Sequence, residues 1–276
     1  MFDANLIKIA DFPLLVFAIS LVALWLSVQM GAFFGRKLRP VQDDERDDLG
    51  IVINASLTLL ALIIGFSFSM AVSRYDQRKN YEEEEANAIG TEYVLADLLS
   101  TADAVKVRQF LAQYLDQRLL FYTIRDARQL ERVDRETAKL QIDMWSIVQS
   151  AATARPTPPV ALVVSGMNDV LNRQGYTQAA WWNRLPVGAW CLMVILAICC
   201  SLLIGYSAHR RVSLLFTVLP LIVAIAFFLI ADIDSPRRGV IRLVPQNLLS
   251  FSHSLGKESV NAIALPVDAR AALHSK

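Results

Sequence analysis

The chain has 276 residues, of which 54% are hydrophobic and 19% charged, so it is more apolar and less charged than an average soluble domain. Its formal net charge of +1 excludes a strongly basic protein that binds nucleic acid by counterion release. We therefore expect the lipid bilayer, and not nucleic acid, as the partner of this chain.

The first two predicted elements are transmembrane helices at about 12–34 and 49–72, which form a hairpin over 1–72. Both stretches are uncharged, and each approaches the length of about 20 apolar residues that crosses roughly 30 Å of hydrocarbon. A cleaved signal peptide is the competing interpretation of the first stretch, but its apolar core would span only about 7 to 15 residues. Because the stretch is longer than that, a spanning helix is the better interpretation.

The second span is the first part of a longer predicted helix, because no proline occurs between residues 49 and 99. Such a helix crosses the bilayer and continues into water. Its polar part contains the consecutive glutamates Glu82, Glu83, Glu84 and Glu85. Most charge runs of this kind are solvated helix faces, although in a ring of subunits the same glutamates would flank an ion entrance and concentrate cations.

A seam of mostly small and polar residues follows the second span. Its members, separated by steps of three or four and therefore on one helix face, are Asn54, Thr58, Ala61, Gly65, Ser69, Val72 and Asp76. One interpretation is helix packing, in which small residues let backbones approach and hydroxyls bond a neighbouring helix for about 1 kcal/mol. The other is the wall of a pore shared by several subunits. In a pore, Phe66 and Phe68 would form a hydrophobic gate that closes by dewetting; otherwise they are lipid or core contacts.

Residues 73–185 are predicted to form a helical extramembrane domain. A helical stripe of apolar residues indicates one amphipathic helix; it consists of Val107, Leu111, Leu115, Leu119 and Tyr122. Residues 134–154 and 160–183 are compatible with two further helices, separated by prolines that stop a helix. Trp181 and Trp182 are predicted to lie at the boundary between water and membrane, where aromatic belts occur.

The third and fourth predicted spans, at about 187–206 and 212–231, form a second hairpin over 186–232, and a C-terminal tail follows at 233–276. Pro220 predicts a kink in the fourth span. All three cysteines lie within the third span and are expected to act as small membrane hydrophobes; they are Cys191, Cys199 and Cys200.

No catalytic or metal-binding motif accompanies these elements. The three histidines, His209, His253 and His274, are far apart in the sequence, and neither a GxSxG elbow nor an HExxH pair occurs. We therefore predict no catalytic residues, no metal ligands and no cofactor, and we do not expect an enzyme.

The basic residues near the ends of the spans favour one orientation only slightly under the positive-inside rule. Cytoplasmic short turns would be supported by Arg36, Lys37, Arg39, Arg46, Arg210 and Arg211. Cytoplasmic chain ends and a cytoplasmic central domain would be supported by Lys8, Arg74, Arg78, Lys79, Arg184, Arg237, Arg238 and Arg242.

Residues 65–99 resemble the bestrophin-like family of bacterial membrane proteins, in which an apolar helix precedes an Arg-Tyr-x-x-Arg segment and then Glu-Ala-Asn-x-Ile-Gly-Thr. The matching residues are Arg74, Tyr75, Arg78, Glu85, Ala86, Asn87, Ile89, Gly90 and Thr91. After the fourth span, Pro236, Gly239 and Ile241 match the family's Asp-x-Pro-Phe-x-Gly-x-Ile segment, but Arg237 replaces the expected phenylalanine.

The resemblance extends more distantly to the bestrophins, which are pentameric ion channels whose second helix lines the pore and whose chain ends are cytoplasmic. It implies an all-α membrane fold of four spans in two hairpins, a homo-oligomer, and inorganic ions as partners in a multi-pass protein of the bacterial inner membrane. The acidic calcium clasp of bestrophins is reduced to Asp232 and Asp234, so calcium gating is not implied. The alternative is a non-conducting membrane scaffold or regulator that docks a partner through its cytoplasmic helices.

Overall fold

A computed structural model describes residues 11–37, 43–208 and 215–264, and the described residues form helices and no strands. The eight α-helices of this part are α1 (Pro13–Lys37), α2 (Asp43–Leu95), α3 (Thr101–Thr123), α4 (Ala127–Ala154), α5 (Pro158–Trp182), α6 (Val187–Ser207), α7 (Leu215–Asp234) and α8 (Gln246–Ala264). A 3₁₀ helix, η1 (Ala96–Leu98), lies between α2 and α3. Parts of the two predicted short turns and of the C-terminal tail, with Arg39, His209, Arg210, Arg211 and His274, lie outside the described residues, as does Lys8.

Four of the described stretches are long and apolar enough to cross a membrane. They are α1, the stretch Asp47–Leu98 that contains most of α2, the stretch Pro158–Ser207 that ends with α6, and the part of α7 at Phe216–Asp234. They coincide with the four predicted spans. The prediction of one helix running from an apolar into a polar segment is also confirmed, because α2 is unbroken over 53 residues.

The chain divides into two compact units. The first consists of residues 1–76 and 182–242, and the second of residues 77–181 and 243–276. Helix α2 contributes its apolar part to the first unit and its polar part to the second.

In the first unit, α1 and α6 touch at their backbones. A Cβ atom added to Gly31 would lie less than 3.0 Å from the backbone of Leu202, and one added to Gly205 would lie equally close to the backbone of Val28. At Gly35 the distance to the carbonyl oxygen of Tyr206 would be 2.5 Å. These three glycines therefore permit an approach that any side chain would prevent.

The same unit has a hydrophobic core between the helices. Its central buried residues are Leu24, Leu60, Ala71, Met193, Ala197, Cys200, Phe227 and Ile230. Helix α2 contributes Leu60 and Ala71, and the buried Ser67 lies on the same side of that helix. This buried side is roughly opposite to the seam, since each residue turns an α-helix by about 100°.

In the second unit, the apolar stripe of α3 is buried as predicted, although Leu119 is only half-buried. Helix α4 begins at Ala127 instead of 134, because the Asp126 side chain accepts a hydrogen bond from the Gln129 amide (2.9 Å) and caps the helix. The predicted tail contains helix α8. Trp181 does not lie in an aromatic belt: it is buried against Phe121 and Tyr122, with ring centroids 4.9 and 5.4 Å away.

Candidate functional site

The seam of α2 is exposed along the first unit. Six of its seven residues are exposed, namely Asn54, Thr58, Ala61, Gly65, Ser69 and Asp76, whereas Val72 is half-buried beside the core. A Cβ atom on Gly65 would meet nothing within 4 Å, and the Thr58 hydroxyl donates to the carbonyl oxygen of Asn54 in its own helix (2.8 Å). No described helix of the same unit therefore covers the seam.

Phe66 and Phe68 are 59% and 40% exposed, respectively. Because they are two positions apart, their side chains leave the helix in directions that differ by about 160°. Phe68 follows Ala61 by two helical turns and so lies beside the seam, whereas Phe66 lies well to the other side. In a pore shared by several subunits, a narrow hydrophobic gate would therefore contain only one of these two phenylalanines from each subunit.

Beyond the fourth span, a tight turn is held by two buried aspartates. The carboxylate of Asp232 accepts hydrogen bonds from the amides of Val240 (2.6 Å) and Ile241 (2.8 Å). Gly239 is needed here because its Cβ would lie 2.5 Å from the Asp232 carbonyl oxygen. The predicted motif residues Pro236 and Gly239 are both buried in this turn, so they shape the backbone.

The second aspartate, Asp234, joins the fourth span to the start of the third. Its carboxylate accepts hydrogen bonds from the Leu185 amide (3.0 and 3.2 Å) and lies 3.7 Å from a guanidinium nitrogen of Arg74. Arg184 donates to the Asp234 carbonyl oxygen (3.0 Å) and to Asp11 (2.6 Å). Arg74, the first residue of the family motif, thus belongs to a charged network of the first unit. Nearby in the sequence, the guanidinium carbon of Arg238 lies 4.3 Å from the centroid of the Phe12 ring.

In the second unit, Glu85 is a fully buried partner of Arg118. The Glu85 carboxylate also accepts hydrogen bonds from the hydroxyls of Thr177 (3.0 Å) and Tyr122 (3.4 Å). Burial alone would lower the pKa of the Arg118 guanidinium, but the Glu85 carboxylate raises it, and the net shift is upward. Burial, and then the Glu85 carboxylate, raise the pKa of Tyr122, so the tyrosine stays neutral and its hydroxyl donates a hydrogen bond to the carboxylate.

Glu82 is also buried, and it holds the start of α8. Its carboxylate accepts hydrogen bonds from the Leu248 amide (2.9 Å) and from the side-chain amide of Asn247 (2.7 Å). An acidic group in this position satisfies an orphan N–H and complements the positive end of the helix dipole. The interpretation of the glutamate run as a solvated face is therefore wrong for Glu82 and Glu85, although Glu83 is exposed and Glu84 half-buried.

The remaining family-motif residues fall into a buried and an exposed set. Arg78 is buried and donates to the Ala180 carbonyl oxygen (3.2 Å), and Ala86 and Ile89 are buried in the same unit, while Tyr75 is half-buried in the first. Asn87 and Thr91 are exposed and, with Gly90, line an open groove of about 650 Å³ between α2 and α8. The buried motif residues Arg78 and Glu85 therefore hold α5 and α3 against α2, whereas α8 is held by Glu82, outside the motif.

Sequence reasoning missed the partners of the buried glutamates: Arg118 and Thr177 for Glu85, and Asn247 for Glu82. Only Arg118 gave a signal: it lies on the same helix face as Leu111, Leu115 and Tyr122, where a charged residue indicates a buried ion pair. Among the described residues there is also no group of three or more His, Cys, Asp or Glu side chains that could hold a metal ion.

The all-helical fold, with four candidate membrane helices, defines a helical membrane protein. The Bestrophin-like domain matches residues 13–248, so the chain belongs to the Bestrophin-like family. No curated protein sequence is significantly similar to it.

Solved structures share this fold at low sequence identity. A bacterial bestrophin homologue from Klebsiella pneumoniae is 12% identical, with 87% of this chain and 98% of that chain covered and a TM-score of 0.57. A variant of that homologue is 13% identical, with 89% of this chain and 99% of that chain covered and a TM-score of 0.56. The crystal structure of a membrane protein variant is 11% identical, with 92% of this chain and 98% of that chain covered and a TM-score of 0.58. At these identities the similarity shows the fold alone.

Proposed function

We propose that this protein is a homo-oligomeric ion channel, or a channel-like protein, in which the seam of α2 lines a central path for inorganic ions. The observation that carries the proposal is the exposure of five seam residues within an otherwise apolar span, namely Asn54, Thr58, Ala61, Gly65 and Ser69. Polar side chains in a membrane span are costly to expose to lipid. They are satisfied when several copies of the chain turn the seam toward a shared, water-filled axis.

By resemblance, the oligomer is a pentamer and the protein is a multi-pass protein of the bacterial inner membrane. The chain ends and the helical region 73–185 are then cytoplasmic. Family membership and the slight excess of basic residues on that side support this orientation.

A non-conducting scaffold or regulator is the second candidate. Exposed apolar side chains of the second unit support it, since Ile142 on α4 is 70% exposed and Leu162 on α5 is 56% exposed. Recovery of a stoichiometric protein partner by crosslinking in the native membrane would favour this alternative. Recovery of contacts between copies of the chain alone would weaken it.

Planar-bilayer recording of the purified, reconstituted protein tests the channel proposal. We expect ionic currents, and we expect Phe68→Ala to change the open probability or conductance more than Phe66→Ala, because Phe68 lies beside the seam. Phe66→Ala is the matched control, as it removes the same ring from the same helix. A folded oligomer that stays silent with every ion tested would contradict the proposal.

A further inference from the structure

Near the C-terminal end of α2, the side chain of Glu92 is completely buried, with 0% of the residue exposed. Neither of its carboxyl oxygens has a hydrogen-bond partner among the described residues. Buried carboxyl groups are normally paired or hydrogen-bonded, because an unpaired charge in an apolar interior is very costly.

The surface of α5 is shaped to receive this carboxyl group. A Cβ atom added to Gly166 would lie less than 3.0 Å from both the Glu92 Oε2 atom and the Leu95 Cδ1 atom. A residue with any side chain at 166 would therefore displace Glu92 or move the two helices apart. The contact between α2 and α5 depends at this point on a glycine that leaves room for a carboxyl group.

Within the described part of the chain, no ion pair joins the Glu92 carboxyl group to a basic side chain of the surrounding elements. On α5, Asp169 pairs with Arg173, which also pairs with Glu84. On α3, Arg108 pairs with Asp97 of η1.

On α2 itself, Glu85 lies two turns earlier on the same side and is paired with Arg118. With burial as its cause, the pKa of Glu92 rises to about 8. The folded protein therefore holds the Glu92 proton at neutral pH.

We propose that Glu92 is a proton-binding site that controls the contact between α2 and α5. With the proton bound, the neutral carboxyl group stays packed against Gly166. When the proton passes to water, the carboxylate that remains needs hydrogen-bond donors, which entering water supplies. The contact then opens locally, on the helix whose earlier part carries the seam. The proposal does not depend on ion conduction.

Hydrogen–deuterium exchange of the full-length protein in lipid nanodiscs tests the proposal. After correction for the intrinsic pH dependence of exchange, we expect peptides around 88–96 and 160–170 to lose at least tenfold protection between pH 6.5 and 9.5. The midpoint should lie near pH 8. Glu92→Gln, which has the same shape without the titrating proton, should keep its protection over the whole range. Glu83→Gln, which removes an exposed carboxyl group from the same helix, should behave like the unaltered protein.

A second readout uses the unaltered protein and keeps the proposal testable if Glu92→Gln fails to fold. The infrared pH-difference spectrum should show the carbonyl band of a protonated carboxylic acid that disappears with a midpoint near pH 8. The absence of such a band above pH 6 would overturn the proposal. So would an exchange profile that is independent of pH, or one that changes equally in Glu92→Gln.

Discussion

Glu82 and Glu85 are buried although they belong to a run of four consecutive glutamates. The sequence indicates a solvated face because it displays the density of charge and not the partners of each residue. Those partners are distant in the chain: Arg118 is 33 positions from Glu85, and Leu248 is 166 positions from Glu82. The seam could be recognised from the sequence because residue spacing determines which side chains share a helix face. The buried network around Glu82 and Glu85 could not, because its members are far apart in the chain.

Removal of Arg118 should destabilise the second unit strongly. Arg118→Ala leaves the Glu85 carboxylate buried with two hydroxyl donors, and breaking a buried pair in this way costs about 3–5 kcal/mol. Arg173→Ala is the control, because it removes a partly exposed pair with Glu84, and such pairs contribute about 0–1 kcal/mol. Denaturant unfolding of the purified protein measures both; equal losses would argue against the buried pair as a stabilising feature.

The raised pKa of Glu92 predicts a pH-dependent stability. A carboxyl group whose pKa is higher in the folded than in the unfolded state stabilises the fold below its unfolded pKa and loses that contribution as pH rises to the folded pKa. With values of 4.5 and about 8, the loss between pH 4.5 and 7 is on the order of 3 kcal/mol. The stability advantage of Glu92→Gln should therefore grow over this range. Unfolding free energies of the two proteins measured from pH 5 to 9 check this prediction, and parallel curves would contradict it.

At the scale of helices, the sequence predicted the four spans and the unbroken α2, because apolar length and the absence of proline are local properties. It did not predict which helices touch. The approach of α1 to α6 depends on Gly31, Gly35 and Gly205, and glycines in a span carry no sign of their partner. Helix α8 was missed as an element because its capping group, Glu82, comes from a distant part of the chain.

A methyl group at Gly205 should disrupt the first unit. Its Cβ would lie less than 3.0 Å from the backbone of Val28, and backbone atoms cannot move aside as a flexible side chain can. Overpacking of this kind costs about 1–3 kcal/mol or more. Gly188→Ala on the same helix is the matched control, since nothing lies within 4 Å of that Cβ. Thermal denaturation in detergent should show a lower Tm for Gly205→Ala alone, and comparable Tm values would rule out the close contact.

For the whole molecule, the decisive question is what covers the seam. We expect single cysteines at Asn54, Thr58 and Ser69, in a background without native cysteines, to react with a charged, water-soluble thiol reagent in lipid vesicles. Leu59→Cys is the control, because Leu59 is exposed but lies away from the seam. Reaction at the seam positions and not at residue 59 is the expected pattern. Uniform protection of the seam would mean that it is packed against protein or lipid, and this result would contradict the proposal that the seam lines a central path.

The turn after the fourth span has a consequence for regulation by divalent ions. Both carboxylate oxygens of Asp232 already accept hydrogen bonds from backbone amides, and the carboxylate of Asp234 accepts hydrogen bonds from the Leu185 amide. Calcium would therefore compete for these carboxylate oxygens with the hydrogen bonds that shape the loop. If the protein conducts ions as proposed, a chelator of divalent ions added to the bath should therefore leave the open probability unchanged.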